Sequence, residues 1–141
     1  MLTSVDRLLF VRRVPIFNEL RDDFVVRLAS VMNELSYPAN YSIFKQGEEG
    51  RSLYIVVSGK VKVHIGETKL AEVEQGKYFG EMAVFDTQPR SATATTVDSC
   101  ECLELTQEQL YDAIEETPEI AVNIIRELSR IIRRLNESIN H

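Results

Sequence analysis

The segment from Phe79 to Ala94 contains a carboxylate and a guanidinium, each surrounded by small residues. It reads FGEMAVFDTQPRSATA, with Glu81 near its start and Arg90 nine positions further on. A carboxylate accepts hydrogen bonds from hydroxyl groups, and a guanidinium makes charge-assisted, often bidentate contacts with phosphate. The segment therefore predicts a site that holds a sugar hydroxyl at one end and a phosphate at the other.

The residues beside these two charges suit a cyclic phosphodiester. Backbone N–H groups at the start of a short helical turn are unpaired donors at its positive end, and Gly80 would let that backbone approach a phosphate closely. Ala83 leaves room above the turn, and Pro89 restricts the loop before Arg90. We expect Glu81 to accept a hydrogen bond from a ribose 2′-hydroxyl and to lie near Arg90, so that each charge keeps the other ionised.

Apolar periodicity predicts helices at the N-terminus and strands in the centre of the chain. Apolar residues recur at helical spacing in an amphipathic helix predicted over Arg21–Leu35, and a shorter apolar segment before it is broken at Pro15. From residue 37 to residue 106, short apolar runs alternate with glycine turns, which predicts an antiparallel sandwich, roll or barrel. We assign residues 1–36 to N-terminal helices and residues 37–106 to the β region.

The helical period returns over residues 107–141. Thr106 is a suitable N-cap, and Thr117–Glu119 divides the region into a pair of helices. The second helix has a broad apolar stripe with two open interpretations: it covers only its own core, or part of it pairs with a second copy of the chain. The stripe residues near heptad spacing are Ile124, Leu128, Ile131, Leu135 and Ile139.

Composition and charge argue against several functional classes. The net charge of −6 disfavours a nucleic-acid partner, because nucleic-acid binding needs a basic face. The longest apolar run, Leu53–Val57, is far short of the ~20 residues that span a bilayer, so we expect a cytoplasmic protein without membrane insertion. Cys100 and Cys102 are too close in sequence to bridge readily and read as reduced thiols.

The sequence shows no pattern for catalysis or for metal binding. It has two histidines, no second cysteine pair for a four-ligand zinc site, and no Ser-His-Asp set, P-loop or dinucleotide fingerprint. We therefore expect a protein that is not an enzyme, with no catalytic residues, no metal and no cofactor.

The central segment resembles the phosphate-binding cassette of the cyclic nucleotide-binding domain family. Residues 79–83 (FGEMA) resemble the family's F-G-E-aliphatic-small opening, and residues 89–93 (PRSAT) resemble its P-R-small-A-small closing. The flanking turns and the terminal helix pair also fall where the family has them. The resemblance implies a single domain over residues 1–141 with an α+β, mainly β fold. This fold is an antiparallel eight-stranded β-roll (jelly roll) flanked by N-terminal helices and a C-terminal helix pair, with the cassette at residues 79–94.

The resemblance also implies roles for individual residues. Glu81 is similar to the family's ribose-binding glutamate, and Arg90 is similar to its phosphate-binding arginine. The other cassette residues implied to contact the ligand are Phe79, Gly80, Met82, Ala83, Ser91 and Ala92, of which the last two match the phosphate and base side.

Base preference and a lid are the less specific implications. In the family, threonine directly after the arginine favours cyclic GMP, whereas alanine there is typical of cyclic AMP sites. Ser91 is neither, and the choice stays open with a preference for cyclic AMP. The C-terminal helices of the family close over the base, so Ile131, Arg134 and Leu135 are the lid candidates.

The function implied is a regulatory sensor that binds a cyclic nucleotide, cyclic AMP rather than cyclic GMP, and changes the position of its C-terminal helices. Its effector is unknown, and a homodimer through the last helix is a further expectation. One alternative is a nucleotide-free scaffold or dimerisation domain of a larger protein, with Glu81 and Arg90 as a structural ion pair. The other is a truncated transcription regulator of the catabolite-activator type, without its DNA-binding part.

Overall fold

In this computed structural model, residues 2–140 are described and form four α-helices and eight β-strands. The helices are α1 (Ser4–Arg12), α2 (Asp22–Val31), α3 (Gln107–Glu116) and α4 (Glu119–Asn140). The strands are β1 (Asn33–Tyr37), β2 (Ser42–Phe44), β3 (Ser52–Ser58), β4 (Val61–Ile65), β5 (Thr68–Val73), β6 (Tyr78–Phe79), β7 (Thr93–Thr96) and β8 (Cys100–Thr106). Two short 3₁₀ turns, Pro15–Phe17 and Glu81–Val84, complete the regular structure of this range.

The chain divides into two compact units. One contains the residues up to 30 together with those from 111 onward, and the other contains residues 31–110. The boundaries fall inside α2 and α3. The expectation of a single domain over residues 1–141 stays a prediction, and residues 1 and 141 lie outside the described residues.

Residues 31–110 contain two four-stranded sheets. The strand orders are β1-β8-β3-β6 and β2-β7-β4-β5, and every pairing is antiparallel. Side chains from both sheets meet in one buried core cluster, formed by Tyr54, Val56, Val61, Val73, Phe79, Ala94, Cys100 and Cys102. The predicted antiparallel eight-stranded β-roll with accompanying helices is confirmed.

Reciprocal caps determine where two of the helices begin. The Thr3 hydroxyl accepts from the Asp6 N–H while the Asp6 carboxylate accepts from the Thr3 N–H, which completes a capping box at α1. Thr106 and Gln109 exchange the equivalent pair of bonds at α3, as the sequence predicted for Thr106. The break before Glu119 is also where the sequence placed it.

The predicted helix over Arg21–Leu35 is wrong at its C-terminal end. Helix α2 stops at Val31, and β1 begins at Asn33, inside the range assigned to N-terminal helices. Leu35 fits the apolar period of a helix, but it pairs with Cys102 in the ladder between β1 and β8 and packs against the core cluster. Tertiary pairing therefore overrides the local pattern here.

The cysteines and the helices bear on the other sequence expectations. Cys100 and Cys102 are free and buried, and burial raises the pKa of Cys102 to about 12, which keeps it a neutral thiol. Among residues 2–140, no helix is both long and apolar enough to cross a bilayer. Within the same range, no group of three or more His, Cys, Asp or Glu residues is arranged to hold a metal ion.

The apolar stripe of α4 is only partly buried. Ile124 is buried, whereas Ile125, Ile132, Leu135 and Ile139 are exposed, the last of them at 80%. The exposed set therefore shares Leu135 and Ile139 with the set near heptad spacing that the sequence suggested, but it has Ile125 and Ile132 where that set has Ile124 and Ile131.

Candidate functional site

A cavity of about 380 Å³ lies on the cassette segment. This volume falls within the range of roughly 300–1,000 Å³ that is usual for small-molecule sites. All the lining residues come from residues 80–91; they are Gly80, Glu81, Met82, Ala83, Asp86, Gln88, Pro89, Arg90 and Ser91.

One wall of the cavity is the 3₁₀ turn Glu81–Val84. The residue before it, Gly80, has φ of 75°, in the left-handed region that glycine adopts without strain. The Ala83 N–H donates to the Gly80 carbonyl at 3.2 Å, and the side chain of Val84 is buried. The turn predicted from the sequence is thus present, with its first side chain, Glu81, lining the cavity.

The opposite wall, around Arg90, is held by the backbone of residues 47–50. The Arg90 N–H donates to the Glu48 carbonyl at 2.7 Å, and the Gly47 N–H donates to the Arg90 carbonyl at 2.9 Å. Glu49 and Pro89 form an isolated antiparallel bridge, and the Gly50 N–H donates to the Gln88 carbonyl at 3.4 Å on its other side. Hydrogen bonds on both sides therefore fix the backbone that carries the guanidinium.

The Arg90 side chain is buried, with 9% of its surface exposed. Its Nη2 donates to the Ser52 carbonyl at 2.9 Å, and its Cζ lies 3.9 Å from the centroid of the Phe44 ring, in cation–π geometry. Its Nε is buried and has no hydrogen-bond partner. Because a buried N–H without a partner is costly, Nε is the unsatisfied donor of this side chain.

The predicted ion pair between Glu81 and Arg90 does not form. Among residues 2–140 no carboxylate lies within ion-pair distance of Arg90, whose guanidinium is directed at Ser52 and Phe44 instead. Burial lowers the pKa of Arg90 and raises the pKa of Glu81, so each charged form is penalised rather than supported by the other. The site holds a cation and a carboxyl group that are not neutralised by one another.

Six of the eight cassette residues predicted to contact a ligand line the cavity, and two do not. Phe79 stacks on Tyr54 with ring centroids 5.1 Å apart, and it lies 5.9 Å from Phe44 in a tilted arrangement. Ala92 is also buried. These two residues support the wall from behind, and a direct ligand contact by either stays a prediction.

The sequence interpretation missed three lining residues. Asp86, Gln88 and Pro89 lie between the two charged residues, and the Gln88 amide donates to the Asp86 carboxylate at 3.2 Å. The loop that connects Glu81 to Arg90 must border the space between them. The position of Asp86, Gln88 and Pro89 in this loop was therefore the sequence signal that they line the cavity.

The lid candidates lie on α4. Ile131 is half-buried, whereas Arg134 and Leu135 are exposed. Their proposed contact with a bound base stays a prediction.

Comparisons with known proteins place this geometry among characterised folds. A sequence model of the family described as "cyclic nucleotide-binding domain" matches residues 34–117, which include every residue that lines the cavity. The chain is 30% identical over 132 residues to the CRP-like cAMP-activated global transcriptional regulator of Mycobacterium tuberculosis, an alignment covering 90% of this chain and 59% of that protein.

Two solved structures share the fold and more than a quarter of the aligned sequence. The N-terminal domain of a transcriptional regulator from Streptomyces coelicolor A3(2) matches with a TM-score of 0.85 and 31% identity, covering 92% of this chain and 94% of that one. The regulatory domain of Toxoplasma gondii PKA, solved with cAMP, matches with a TM-score of 0.73 and 28% identity, covering 78% of this chain and 44% of that one. The chain spans less than two thirds of the length of the curated bacterial regulator it matches.

Proposed function

Because the chain belongs to the cyclic nucleotide-binding domain family, we propose that it binds a cyclic nucleotide, cyclic AMP in preference to cyclic GMP, as a regulatory sensor module. The observation that carries the proposal is Arg90, a buried cation without a carboxylate partner that borders a cavity large enough for a nucleotide. Burying an unpaired charge costs several kcal/mol, so a fold that does so gains only if an anion neutralises the charge. The cyclic phosphate is that anion.

In this arrangement the two charged residues hold the two ends of the cyclic phosphate–ribose unit. The buried Nε of Arg90 donates to an exocyclic phosphate oxygen, and the carboxylate of Glu81 accepts from the ribose 2′-hydroxyl. Hydrogen bonds with one charged partner contribute roughly 1.5–3 kcal/mol each. A 5′-monophosphate carries more charge and lacks the ring that fixes phosphate and ribose in one orientation, so the site favours the cyclic form.

The preference for cyclic AMP is supported by some of the relatives. The Mycobacterium tuberculosis regulator is named for cAMP and the PKA regulatory domain was solved with it, whereas a similar kinase of Drosophila melanogaster is named for cGMP. Ser91 lines the cavity with an exposed side chain and supplies a hydroxyl that can act as donor or acceptor toward a phosphate or a base. This hydroxyl is the group on which base preference depends.

A homodimer through α4 is the second part of the proposal. Ile125, Leu128, Ile132, Leu135 and Ile139 follow one another at alternating intervals of three and four residues. Such spacing, with isoleucine at every a position and leucine at every d position, favours a parallel two-stranded coiled coil. Four of the five are exposed, so a second copy of the chain would bury them.

Ligand binding and dimerisation together describe a sensor. A nucleotide shifts the position of the C-terminal helices only as far as it prefers one arrangement over the other, and a near-complete switch needs about a 10⁴-fold preference. The named relatives include transcriptional regulators, which supports a role as the sensor part of such a regulator. The scaffold alternative is less well supported, because its structural ion pair between Glu81 and Arg90 is missing.

Titration calorimetry tests the proposal. A sample of the purified chain is first denatured, and the absorbance of the supernatant shows whether nucleotide co-purified. The chain is then titrated with cyclic AMP, cyclic GMP and 5′-AMP. We expect micromolar or tighter binding of cyclic AMP, weaker binding of cyclic GMP and none of 5′-AMP. No binding of any of the three would favour the scaffold, and equal binding of 5′-AMP would contradict a site for a cyclic phosphate.

A further inference from the structure

We propose that Gly50 is a positioning residue of the phosphate site, because its missing side chain leaves the space in which the Arg90 guanidinium is clamped against the Phe44 ring. The inference rests on the proposed function and adds a residue to it that lies outside the cassette. Gly50 precedes β3 and is separated from Arg90 by forty positions of sequence.

The steric evidence is direct. A Cβ built on Gly50 would lie 2.7 Å from the Nε of Arg90, 2.9 Å from its Cδ and 3.0 Å from its Cζ. Carbon atoms in van der Waals contact are about 3.5–4.0 Å apart, so even a methyl group at residue 50 would overlap the guanidinium and its last methylene. On the other side, a Cβ on Gly80 would lie 2.6 Å from Nη1. The guanidinium is thus bordered by two glycines and covered by the Phe44 ring, with the Tyr54 ring centroid 5.9 Å from its Cζ.

The backbone at Gly50 gives no other reason for a glycine. Five glycines have positive φ, namely Gly47, Gly59, Gly66, Gly76 and Gly80, and Gly50 is not among them. Alanine would therefore meet no backbone strain at this position, in contrast to Gly80, where φ of 75° and the contact with Arg90 act together. The three nearest neighbours of a Cβ at residue 50 all belong to Arg90.

The clamp determines which donors of Arg90 are available. Nη2 donates a hydrogen bond to the Ser52 carbonyl, and the Phe44 ring lies against the flat face of the guanidinium. Nε is left without a partner. A methyl group on residue 50 would push the guanidinium away from the Ser52 carbonyl or off the ring, and the orientation that suits a phosphate would have to be restored at the expense of binding free energy.

The test is Gly50→Ala, combined with Arg90→Leu in a double-mutant cycle and followed by calorimetric titration with cyclic AMP. We expect Gly50→Ala to weaken binding by roughly tenfold to a hundredfold, as expected from impairing one charge-assisted hydrogen bond. In the Arg90→Leu background, the same substitution should have no further effect, because Gly50 acts only through Arg90. Arg51→Ala, at an exposed neighbour in the same loop whose guanidinium pairs with Glu49, is the matched control and should bind like wild type.

The outcomes separate this inference from the proposed function. If wild type binds cyclic AMP and Gly50→Ala binds it equally tightly, Gly50 has no positioning role but the proposed function stands. If wild type does not bind cyclic AMP, both proposals are wrong. Equal effects of Gly50→Ala with and without Arg90 also contradict the inference, as does a Gly50→Ala chain that fails to fold, because either would show a general structural requirement. Phe44→Leu provides a second variant: it keeps apolar volume and removes the ring face, and we expect it to weaken binding by several-fold through Arg90 as well.

Discussion

The pocket around Arg90 and the outer face of α4 reverse the usual distribution of side chains in opposite ways. In the pocket a charged group is buried without a charged partner; on α4, isoleucine and leucine side chains are exposed. The ion pair between Arg51 and Glu49 is exposed, as is usual for charged residues, and the buried Glu127 is paired with Arg130.

The difference between the two regions concerns what each lacks. A buried cation is neutralised by a small anion that enters a cavity, whereas an exposed apolar stripe is covered by a surface of its own length. Both arrangements lower the free energy of unfolding of the isolated chain, and binding of the ligand or of the second copy raises it again. We therefore propose a small ligand for the pocket and a second copy of the chain for α4.

The most severe test of the pocket side is Arg90→Leu. Leucine keeps apolar volume against Phe44 but removes the charge, so we expect affinity for cyclic AMP to fall by about a hundredfold or more. The ligand-free chain should lose no more than about 1 kcal/mol of stability, because an unpaired buried charge disappears with the contacts. Calorimetric titration and thermal unfolding measure the two effects.

The control for that variant is Arg51→Leu, which removes an exposed arginine from the neighbouring loop. It should leave affinity unchanged. If Arg90→Leu binds cyclic AMP as tightly as wild type, the buried cation is not the phosphate ligand.

On the α4 side, Ile132→Asp should have the next largest effect. An aspartate in an apolar seam cannot be solvated, so we expect the dissociation constant of the dimer to rise at least about tenfold. Sedimentation equilibrium measures it, with Arg133→Ala, the exposed neighbour, as a control that keeps the dimer. If the wild-type chain stays monomeric at high concentration, α4 is not a dimer surface.

Glu81→Gln sharpens the pocket side by separating ligand affinity from stability. Burial raises the pKa of Glu81, so ionising the carboxyl costs more in the folded ligand-free chain than in the unfolded chain, and its contribution to stability falls as pH rises from the unfolded value near 4.5 through the folded value. Glutamine removes that penalty. We expect the variant to be more stable than wild type at pH 7 by about 1 kcal/mol or less, and the difference to vanish below the unfolded pKa.

The same variant should bind cyclic AMP about tenfold more weakly, because a neutral acceptor replaces a charged one. It should also lose the discrimination against 2′-deoxy cyclic AMP that we expect of wild type. Thermal unfolding across pH and paired titrations with the two nucleotides provide the data, with Glu49→Gln as the surface control. A variant less stable than wild type at pH 7 would show that the carboxylate is supported by its surroundings.

Ser91→Ala should have the smallest effect. Removing one hydroxyl changes the ratio of the affinities for cyclic AMP and cyclic GMP by about threefold to tenfold in favour of cyclic AMP. Competition titrations measure this ratio. An unchanged ratio would mean that Ser91 does not contact the base.

The sequence predicted the part of the site that one contiguous segment forms. It did not predict the contacts that residues distant in sequence make with that segment. The turn at Glu81 and the loop to Arg90 follow from a contiguous motif, and all nine lining residues lie within it. The hold on the guanidinium by Phe44, Gly50 and Ser52 comes from residues about forty positions earlier, and spacing along the chain does not report such contacts.

The wrong expectations have physical causes of the same kind. Spacing placed Glu81 and Arg90 in one segment, but the side-chain direction of Arg90 is set by Ser52. Leu35 satisfied a helical period and a strand alternation at once, and pairing with Cys102 decided between them. On α4 the period alone did not distinguish Ile124 from Ile125, because that choice depends on which side the rest of the chain covers.

We propose that the unpartnered Nε of Arg90 is held for a phosphate. The most direct measurement is the side-chain Nε–Hε resonance of Arg90 in a ¹⁵N-labelled chain, assigned by its loss in Arg90→Lys, during titration with cyclic AMP and, separately, with adenosine. We predict that cyclic AMP shifts the resonance downfield and slows its exchange with water, whereas adenosine, which has no phosphate, leaves it in place. A resonance that does not move while cyclic AMP binds elsewhere on the chain would contradict the claim.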